Sequence, residues 1–304
     1  MYSIDVVNKA NLEYINKEND ENYKKLYYKE KEKNEYLEKV NKYLLTKINI
    51  LTNNQNKGEK DENLILIKLY FLNEVNQYDK LIEIFGEEAS EGTSILDLKN
   101  HHEIININKL SKAPCGFKAD CKIKMNQTQT IYRISIKSKN GANPAILNHT
   151  PRSANIFKVG GILYEYLPVL DKILKEYIDK RQKNLIGEDI LISNLACLEE
   201  DYLLKNRFIE ILVYFVFDGS GKGYSNCRAN AVINYQNDKI TFIICDNVEK
   251  KKEYITSIYN TIVLSLRDKG MPKIISEYCK PWVYNDIKSD NLIKYKGSLH
   301  IRIK

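Results

Sequence analysis

The sequence predicts an α/β fold in which a central mixed or antiparallel sheet is flanked by helices and preceded by a helical N-terminal region. Apolar residues at three- and four-residue steps mark the early part of the chain as helical. After residue 115, polar and apolar residues alternate, which is the period of a half-buried strand. Strand and helix candidates then follow one another to the end. We place the boundary of the helical N-terminal region at residues 1–95 and that of the α/β domain at residues 96–304.

The composition is that of a globular protein. Of the 304 residues, 43% are hydrophobic and 29% charged, which excludes wholesale disorder. No uncharged apolar run approaches the roughly 18–20 residues of a membrane span, and no secretory signal is visible, so we expect a cytoplasmic protein without membrane contact. The net charge of +7 permits a polyanionic partner without requiring one. Cys121 and Cys245 lie in apolar strand-like runs, which predicts reduced core cysteines.

Helix candidates follow from the spacing of apolar residues. An amphipathic stripe covers residues 37–51, and a polar linker separates it from a second helix at residues 63–85. Further helices are predicted at about residues 161–181 and 251–266.

Strand candidates begin with two alternating segments at residues 117–125 and 130–138, whose four-residue separation suits a hairpin loop. The remaining strand candidates are residues 209–217, 229–235, 239–245 and 299–304.

The pleat of this hairpin predicts where its side chains point. Lys118, Asp120, Lys122 and Lys124 share one face, and the apolar residues between them share the other. With the turn near residues 126–129, Asp120 lies opposite about Ser135, and Lys137 follows one step along on the same face. A carboxylate, a hydroxyl and an ammonium therefore converge.

These groups suit metal-dependent hydrolysis of a phosphodiester. A carboxylate on a rigid strand binds Mg²⁺, whose shell is completed by water and phosphate oxygens. The metal polarises the phosphoryl group and lowers the pKa of a bound water. A neighbouring lysine orients that water or stabilises charge on the phosphorus. The competing interpretation of the same pattern is a solvated surface hairpin in a lysine-rich chain.

The segment Ile134-Ser-Ile-Lys-Ser138, followed by Gly141-Ala-Asn-Pro-Ala-Ile-Leu-Asn148, resembles the corresponding strand and loop of HpaII-type restriction endonucleases. These enzymes belong to the PD-(D/E)xK nuclease superfamily. The resemblance covers about 30 residues, and it implies a restriction-endonuclease-like core. It also implies that Asp120 is a metal ligand and that Lys137 is the catalytic lysine.

Ser135 departs from the superfamily pattern, because an acidic residue usually stands two positions before the lysine. Some restriction enzymes with serine at this position recruit a carboxylate from a neighbouring helix. Glu165 is our first candidate for this catalytic and metal-binding role, and Glu103 is the alternative. The literal Pro-Asp pair is also absent, since Pro114 precedes Asp120 by six residues.

Two polar loops are candidates for DNA contact. Arginine pairs with guanine and asparagine with adenine in the major groove, so the loop after the catalytic strand suits base readout or phosphate binding. The glycine-rich segment 218–228 lacks the Walker spacing, so we expect no nucleotide cofactor there. The candidate DNA-binding residues are Asn143, Asn148, His149, Arg152, Asn155, Lys158, Lys222, Tyr224 and Arg228.

The resulting expectation is a type II restriction endonuclease that uses Mg²⁺ to cleave double-stranded DNA at a short specific sequence. A homodimer would place one active site on each strand of a palindromic target. Two other hypotheses stay open. One is a structure-specific repair or junction nuclease with the same catalytic hairpin. The other is a non-catalytic DNA-binding protein in which Ser135 marks a decayed site.

Overall fold

The computed structural model describes residues 22–25, 27, 28, 31, 38, 57–106, 110, 113–140, 143–148, 155–157, 159–183, 185–187, 189–267 and 298–304. The chain divides into two compact units, residues 1–55 and residues 56–304. The described residues of the first unit are helical. Apart from Glu38, the predicted amphipathic stripe of residues 37–51 lies outside the described residues.

The second unit contains the helices and strands that position the candidate site. The helices are α1 (Lys57–Glu74), α2 (Tyr78–Phe85), α3 (Leu167–Gln182), α4 (Ala196–Glu200), α5 (Tyr202–Val213) and α6 (Val248–Ile258). The strands are β1 (Thr93–Leu96), β2 (Cys121–Met125), β3 (Ile131–Ser138), β4 (Ala145–Asn148), β5 (Asp189–Leu191), β6 (Gly219–Ser220), β7 (Gly223–Tyr224), β8 (Ala231–Gln236), β9 (Lys239–Ile244), β10 (Ile262–Arg267) and β11 (Ser298–Ile303).

A mixed sheet forms the centre of this unit. Within the described residues its strand order is β1-β2-β3-β8-β9. The β1–β2, β2–β3 and β8–β9 pairs are antiparallel, whereas β3 and β8 run parallel. Parallel neighbours need a crossover connection, and the chain between β3 and β8 supplies it through α3, α4 and α5.

Helices α1 and α2 cover one face of the mixed sheet. Leu66 and Leu69 of α1 and Leu81 and Phe85 of α2 are buried in the same apolar cluster as the sheet. The strand residues that join this cluster alternate along β2, β3 and β8: Cys121, Ile123, Met125, Tyr132, Ile134, Ile136, Ala231, Ile233 and Tyr235. Residues 57–85, which we assigned to the N-terminal region, therefore belong to the compact unit that begins at residue 56.

A second apolar cluster lies on the other side of the mixed sheet. It joins α3, α5 and α6 to an antiparallel sheet of order β4-β11-β10-β5, and it includes Val232 from β8. Val232 alternates with Ala231 and Ile233 of the first cluster, so the mixed sheet has helices on both faces. The predicted α/β class, with a central mixed sheet flanked by helices, is confirmed.

Most of the predicted strands form, and two predicted segments were wrong. The strands predicted at residues 117–125, 130–138, 229–235, 239–245 and 299–304 correspond to β2, β3, β8, β9 and β11. The strand predicted at 209–217 is instead the end of α5 followed by a π-helical turn at 214–218. Apart from Glu210, this segment is buried along its whole length, so no polar face reveals the helical period. The helix predicted at 251–266 ends at Ile258, and β10 begins at Ile262.

In the described part of the chain, no helix is long and apolar enough to cross a membrane. Cys121 and Cys245 are buried, as predicted for core cysteines.

Glu176 of α3 caps the short helix α4. Its carboxylate accepts the backbone N–H groups of Ala196 and Cys197, both at 2.7 Å, and it pairs with Lys180 at 2.7 Å. Burial opposes ionisation, but hydrogen bonds from Cys197, Lys180 and Ala196 outweigh it and lower the pKa of the Glu176 carboxyl to about 2.

We predict that Glu176→Gln lowers the free energy of unfolding at pH 7 by about 1–2 kcal/mol. Because the pKa is lower in the folded chain than in the unfolded chain, Glu176 stabilises the fold above pH 5. That contribution is lost as the pH falls towards 2. Urea unfolding at pH 7 and pH 3 should therefore show a smaller pH dependence for Glu176→Gln than for the wild type. Glu253→Gln, at an exposed position on α6, is the control. Equal pH dependence in all three proteins would contradict the capping role.

Candidate active site on the polar face of the β2–β3 hairpin

The register of β2 and β3 is the one that the sequence predicts. Cys121 pairs with Ile134 and Lys122 with Arg133, which places Asp120 opposite Ser135. The Met125 N–H donates to the Thr130 carbonyl at 2.9 Å and closes the loop between the strands. The apolar side chains face α1 and α2, so Asp120, Ser135 and Lys137 share the opposite face.

Asp120 is tied directly to β3. Its Oδ2 atom accepts the backbone N–H of Ile136 at 2.7 Å and the Ser135 hydroxyl at 3.4 Å. Ser135 is only 1% exposed, whereas Asp120 and Lys137 are partly exposed. The carboxylate is therefore held in place by Oδ2, and Oδ1 is the oxygen through which a further ligand would bind.

Lys118 and Asp218 complete the electrostatic surroundings of Asp120. Burial, and then the positive charge of Lys137, lower the pKa of the Lys118 ammonium to about 8, against the opposing effects of Asp120 and Asp218. The charges of Lys137, Asp120 and Asp218 thus all act on the Lys118 ammonium group. We call Lys118, Asp120, Ser135, Lys137 and Asp218 the hairpin cluster.

Backbone hydrogen bonds hold Asp218 near the start of β2. The Ser225 N–H donates to the Asp218 carbonyl at 2.8 Å, and the Ser225 hydroxyl accepts the Lys118 N–H at 3.0 Å. The Cys227 carbonyl accepts the N–H groups of Lys118 and Ala119, both at 3.1 Å. The Asp218 carboxylate also pairs with Lys251 of α6 at 2.6 Å. The glycine-rich segment 218–228 is therefore anchored beside Asp120.

The tip of this segment presents aromatic and cationic groups. Strands β6 and β7 form a small hairpin, and the Arg228 guanidinium lies 4.3 Å from the centre of the Tyr224 ring. Tyr224 is 53% exposed and packs edge-to-face on the buried Tyr214, with ring centres 5.5 Å apart. Lys222 is exposed, and its ammonium lies 3.5 Å from the Cys115 sulfur. An arginine over an exposed tyrosine ring is a surface on which a base or phosphate group can bind.

The two alternative acids lie at exposed positions. Glu165 is on the 3-10 turn at residues 164–166, where its charge acts on Tyr166. Glu103 forms an isolated bridge with Leu96 at the end of β1, and its charge acts on Tyr70. Asp218 is the acid whose charge, like that of Asp120, acts on Lys118.

The predicted DNA-binding loop is described only in part. Asn143 is exposed, and its carbonyl accepts an N–H of Arg302 at 3.1 Å. Asn148 pairs with His300 between β4 and β11, and Asn155 begins the 3-10 turn at residues 155–157. Three predicted residues of this loop lie outside the described residues: His149, Arg152 and Lys158.

Among the described residues, at most two carboxylates are available to a magnesium ion at this site. Mg²⁺ is commonly held by one or two carboxylates and keeps several waters. Asp120 offers Oδ1. Asp218 is a further carboxylate, and its charge, like that of Asp120, acts on the Lys118 ammonium. Among the residues that the structure describes, no group of three or more acids, histidines or cysteines could hold a metal ion. A cage built entirely from described side chains is therefore not present.

The chain matches no protein-family model, no curated protein and no solved structure.

Lys118 and Asp218 are not among the site residues that the sequence predicts. Lys118 stood on the predicted polar face of β2, so alternation alone could have included it in the site. Asp218 begins the glycine-rich segment but lies 98 residues from Asp120 in the sequence. Only the pairing of that segment with the start of β2 brings it close.

We predict that Gly219→Ala destabilises the glycine-rich segment. The Gly219 backbone is extended, so alanine is not strained there, but its Cβ would overlap the buried Tyr214 ring. The Tyr214 hydroxyl donates to the Ser220 carbonyl at 3.0 Å, so displacing the ring also breaks this contact. We expect a loss of about 1–3 kcal/mol in urea unfolding. Gly187→Ala, whose Cβ would meet nothing within 4 Å, is the matched control. Equal stability of the two variants would contradict the close approach of Gly219 to the Tyr214 ring.

Proposed function

We propose that the protein is a Mg²⁺-dependent deoxyribonuclease that cleaves double-stranded DNA at a specific sequence, as type II restriction endonucleases do. The observation that carries the proposal is the convergence of Asp120, Ser135 and Lys137 on one face of a rigid hairpin. The mixed sheet with helices on both faces is compatible with the PD-(D/E)xK core that the sequence resemblance implies.

In this proposal Asp120 holds the metal, and the Ile136 N–H keeps its carboxylate oriented. When bound, Mg²⁺ would polarise the scissile phosphate and lower the pKa of a bound water. Lys137 would stabilise the negative charge that develops on the phosphate during hydrolysis. Lys118 would add a second positive charge, since an ammonium with a pKa of about 8 is mostly protonated at pH 7. The expected products carry 5′-phosphate and 3′-hydroxyl ends.

Asp218 is our candidate for the carboxylate that the pattern lacks at Ser135. Its charge acts on Lys118 together with that of Asp120, and Ser225 connects its backbone to Lys118. Glu165 and Glu103 stay the candidates that the sequence offers.

The glycine-rich segment would bind DNA next to the scissile phosphate. Lys222 and Arg228 carry positive charge, and Tyr224 exposes a ring, all within the segment that Ser225 and Cys227 anchor to the start of β2. The loop around His149, Arg152 and Lys158 and the homodimeric assembly are further parts of the proposal.

We predict that purified protein with Mg²⁺ cuts a sequenced plasmid into a discrete fragment ladder, and that Asp120→Asn and Lys137→Ala each reduce the cleavage rate at least a hundredfold. Both changes remove a charge required in the transition state and leave the apolar face of the hairpin intact. End sequencing of the fragments gives the recognition sequence and the cut position. Lys124→Ala, on the same face of β2 but nearer the turn, is the matched control and should retain most of the activity.

DNA binding is measured in parallel by gel shift with EDTA, and both inactive variants should still bind. Cleavage by both variants at the wild-type rate would end the nuclease proposal. Cleavage of branched DNA without a plasmid ladder would favour a junction nuclease. Metal-independent binding without hydrolysis at any Mg²⁺ concentration would favour the non-catalytic alternative.

We predict that Asp218→Asn raises the Mg²⁺ concentration needed for half-maximal cleavage at least tenfold. Asp218 also pairs with Lys251, so Lys251→Met is needed as a control that breaks the ion pair and keeps the carboxylate. If Asp218 binds the metal, only Asp218→Asn shifts the Mg²⁺ titration. An equal shift in both variants would assign Asp218 a structural role, and a shift in Glu165→Gln or Glu103→Gln alone would assign the role to that acid.

A further inference from the structure

A cavity of about 560 Å³ opens where β3 and β8 end. Asn234 lines it, and in the parallel register Asn234 is the partner of Lys137. Paired residues of neighbouring strands point to the same face, so the cavity lies on the face that carries Ser135 and Lys137. Its volume falls within the 300–1,000 Å³ of typical small-molecule sites.

Two lysines line the cavity. Lys139 follows β3 and Lys239 begins β9, and both line the cavity. The Lys139 ammonium donates to the Lys304 carbonyl at 3.2 Å, and Lys239 is exposed. The neighbouring acid Asp238 accepts the Tyr235 hydroxyl at 2.8 Å. A phosphate group is a ligand that lysine ammonium groups favour.

The wall combines hydrogen-bonding groups with apolar surface. The Tyr254 hydroxyl of α6 donates to the Asn234 Oδ1 atom at 3.2 Å, which orients the Asn234 amide nitrogen as a donor. Thr241 stands opposite Asn234 on β9, and Ile258 supplies apolar surface. Amide and hydroxyl groups at the edge of an apolar pocket are suited to reading a nucleobase.

We propose that this cavity binds one nucleotide unit, a nucleoside together with its phosphate. The cavity is too small for a double helix, so a nucleotide of bound DNA would enter it only after leaving the base stack. A free mononucleotide has the same chemistry and is the other possible source. The inference deepens the proposed nuclease function and rests on it for the DNA source.

The first experiment measures binding of dAMP, dGMP, dCMP and TMP by isothermal titration calorimetry in EDTA, with inorganic phosphate for comparison. We expect at least one mononucleotide to bind at one site per chain with a Kd below about 1 mM, and phosphate to bind at least tenfold more weakly. Lys239→Gln and the cavity-filling Thr241→Trp should each weaken binding at least fivefold. Lys80→Gln, at an exposed position of α2 in the opposite layer, should leave it unchanged. Absence of binding by all four mononucleotides, or equal binding by Thr241→Trp, would overturn the proposal.

The second experiment separates the two sources. A duplex of the cleaved sequence, with 2-aminopurine at successive positions, is mixed with protein in EDTA. A rise in fluorescence at one position, lost in Thr241→Trp, would assign a nucleotide of the DNA to the cavity. Mononucleotide binding without that rise would assign the free nucleotide. Because the calorimetry needs no cleavage, failure of the nuclease proposal and failure of the cavity proposal give different results.

Discussion

The antiparallel register of β2 with β3 is the constraint on which the candidate site depends. Cys121 pairs with Ile134, and the side chains of Cys121, Ile123 and Ile134 are buried against α1 and α2. A slip of one residue would turn these side chains to the polar face and bring Lys122 among the apolar ones. Each large apolar side chain that is fully buried contributes about 1.5–3 kcal/mol, so the buried face selects a single register. The hydrophobic face thus determines that Asp120 meets Ser135 on the other side.

The parallel pairing of β3 with β8 adds residues that lie far away in the sequence. The Asn230 side chain accepts the Arg133 N–H at 2.6 Å, and the Asn230 N–H donates to the Arg133 carbonyl at 2.8 Å. The Ala229 N–H donates to the Phe217 carbonyl at 2.8 Å, which folds the glycine-rich segment back on itself. The crossover that ends in α5 therefore delivers Asp218 to the start of β2. The same pairing sets Asn234, which lines the cavity, beside Lys137 of the hairpin cluster.

Periodicity in the sequence predicts a hairpin whose strands are neighbours in the chain, but it does not predict contacts between distant segments. Both strands of the β2–β3 hairpin, and the pairing of Asp120 with Ser135, follow from alternation over nine residues each. The segment at 209–217 could not be predicted in this way, because Phe208 to Phe217 are buried from all sides and carry no polar face apart from Glu210. The single helix predicted at residues 63–85 is observed as two helices, α1 and α2. Their place on the sheet was not predicted, since amphipathicity shows that a face is buried without showing its partner. Asp218 was not predicted as a site residue, because its position depends on hydrogen bonds between segments that lie about a hundred residues apart in the sequence.

The balance of charge around the hairpin cluster is the electrostatic basis of the proposed phosphate binding. Lys118 and Lys137 repel each other, and burial already disfavours the Lys118 ammonium, so its pKa falls to about 8 despite two carboxylates. One of those carboxylates, Asp218, is also paired with Lys251 at 2.6 Å. With Lys251 counted, three lysines lie around two acids, in a place where water is partly excluded. In the proposed function, a phosphodiester between Lys118 and Lys137 would relieve their repulsion and would lie on the face of the hairpin that carries Asp120.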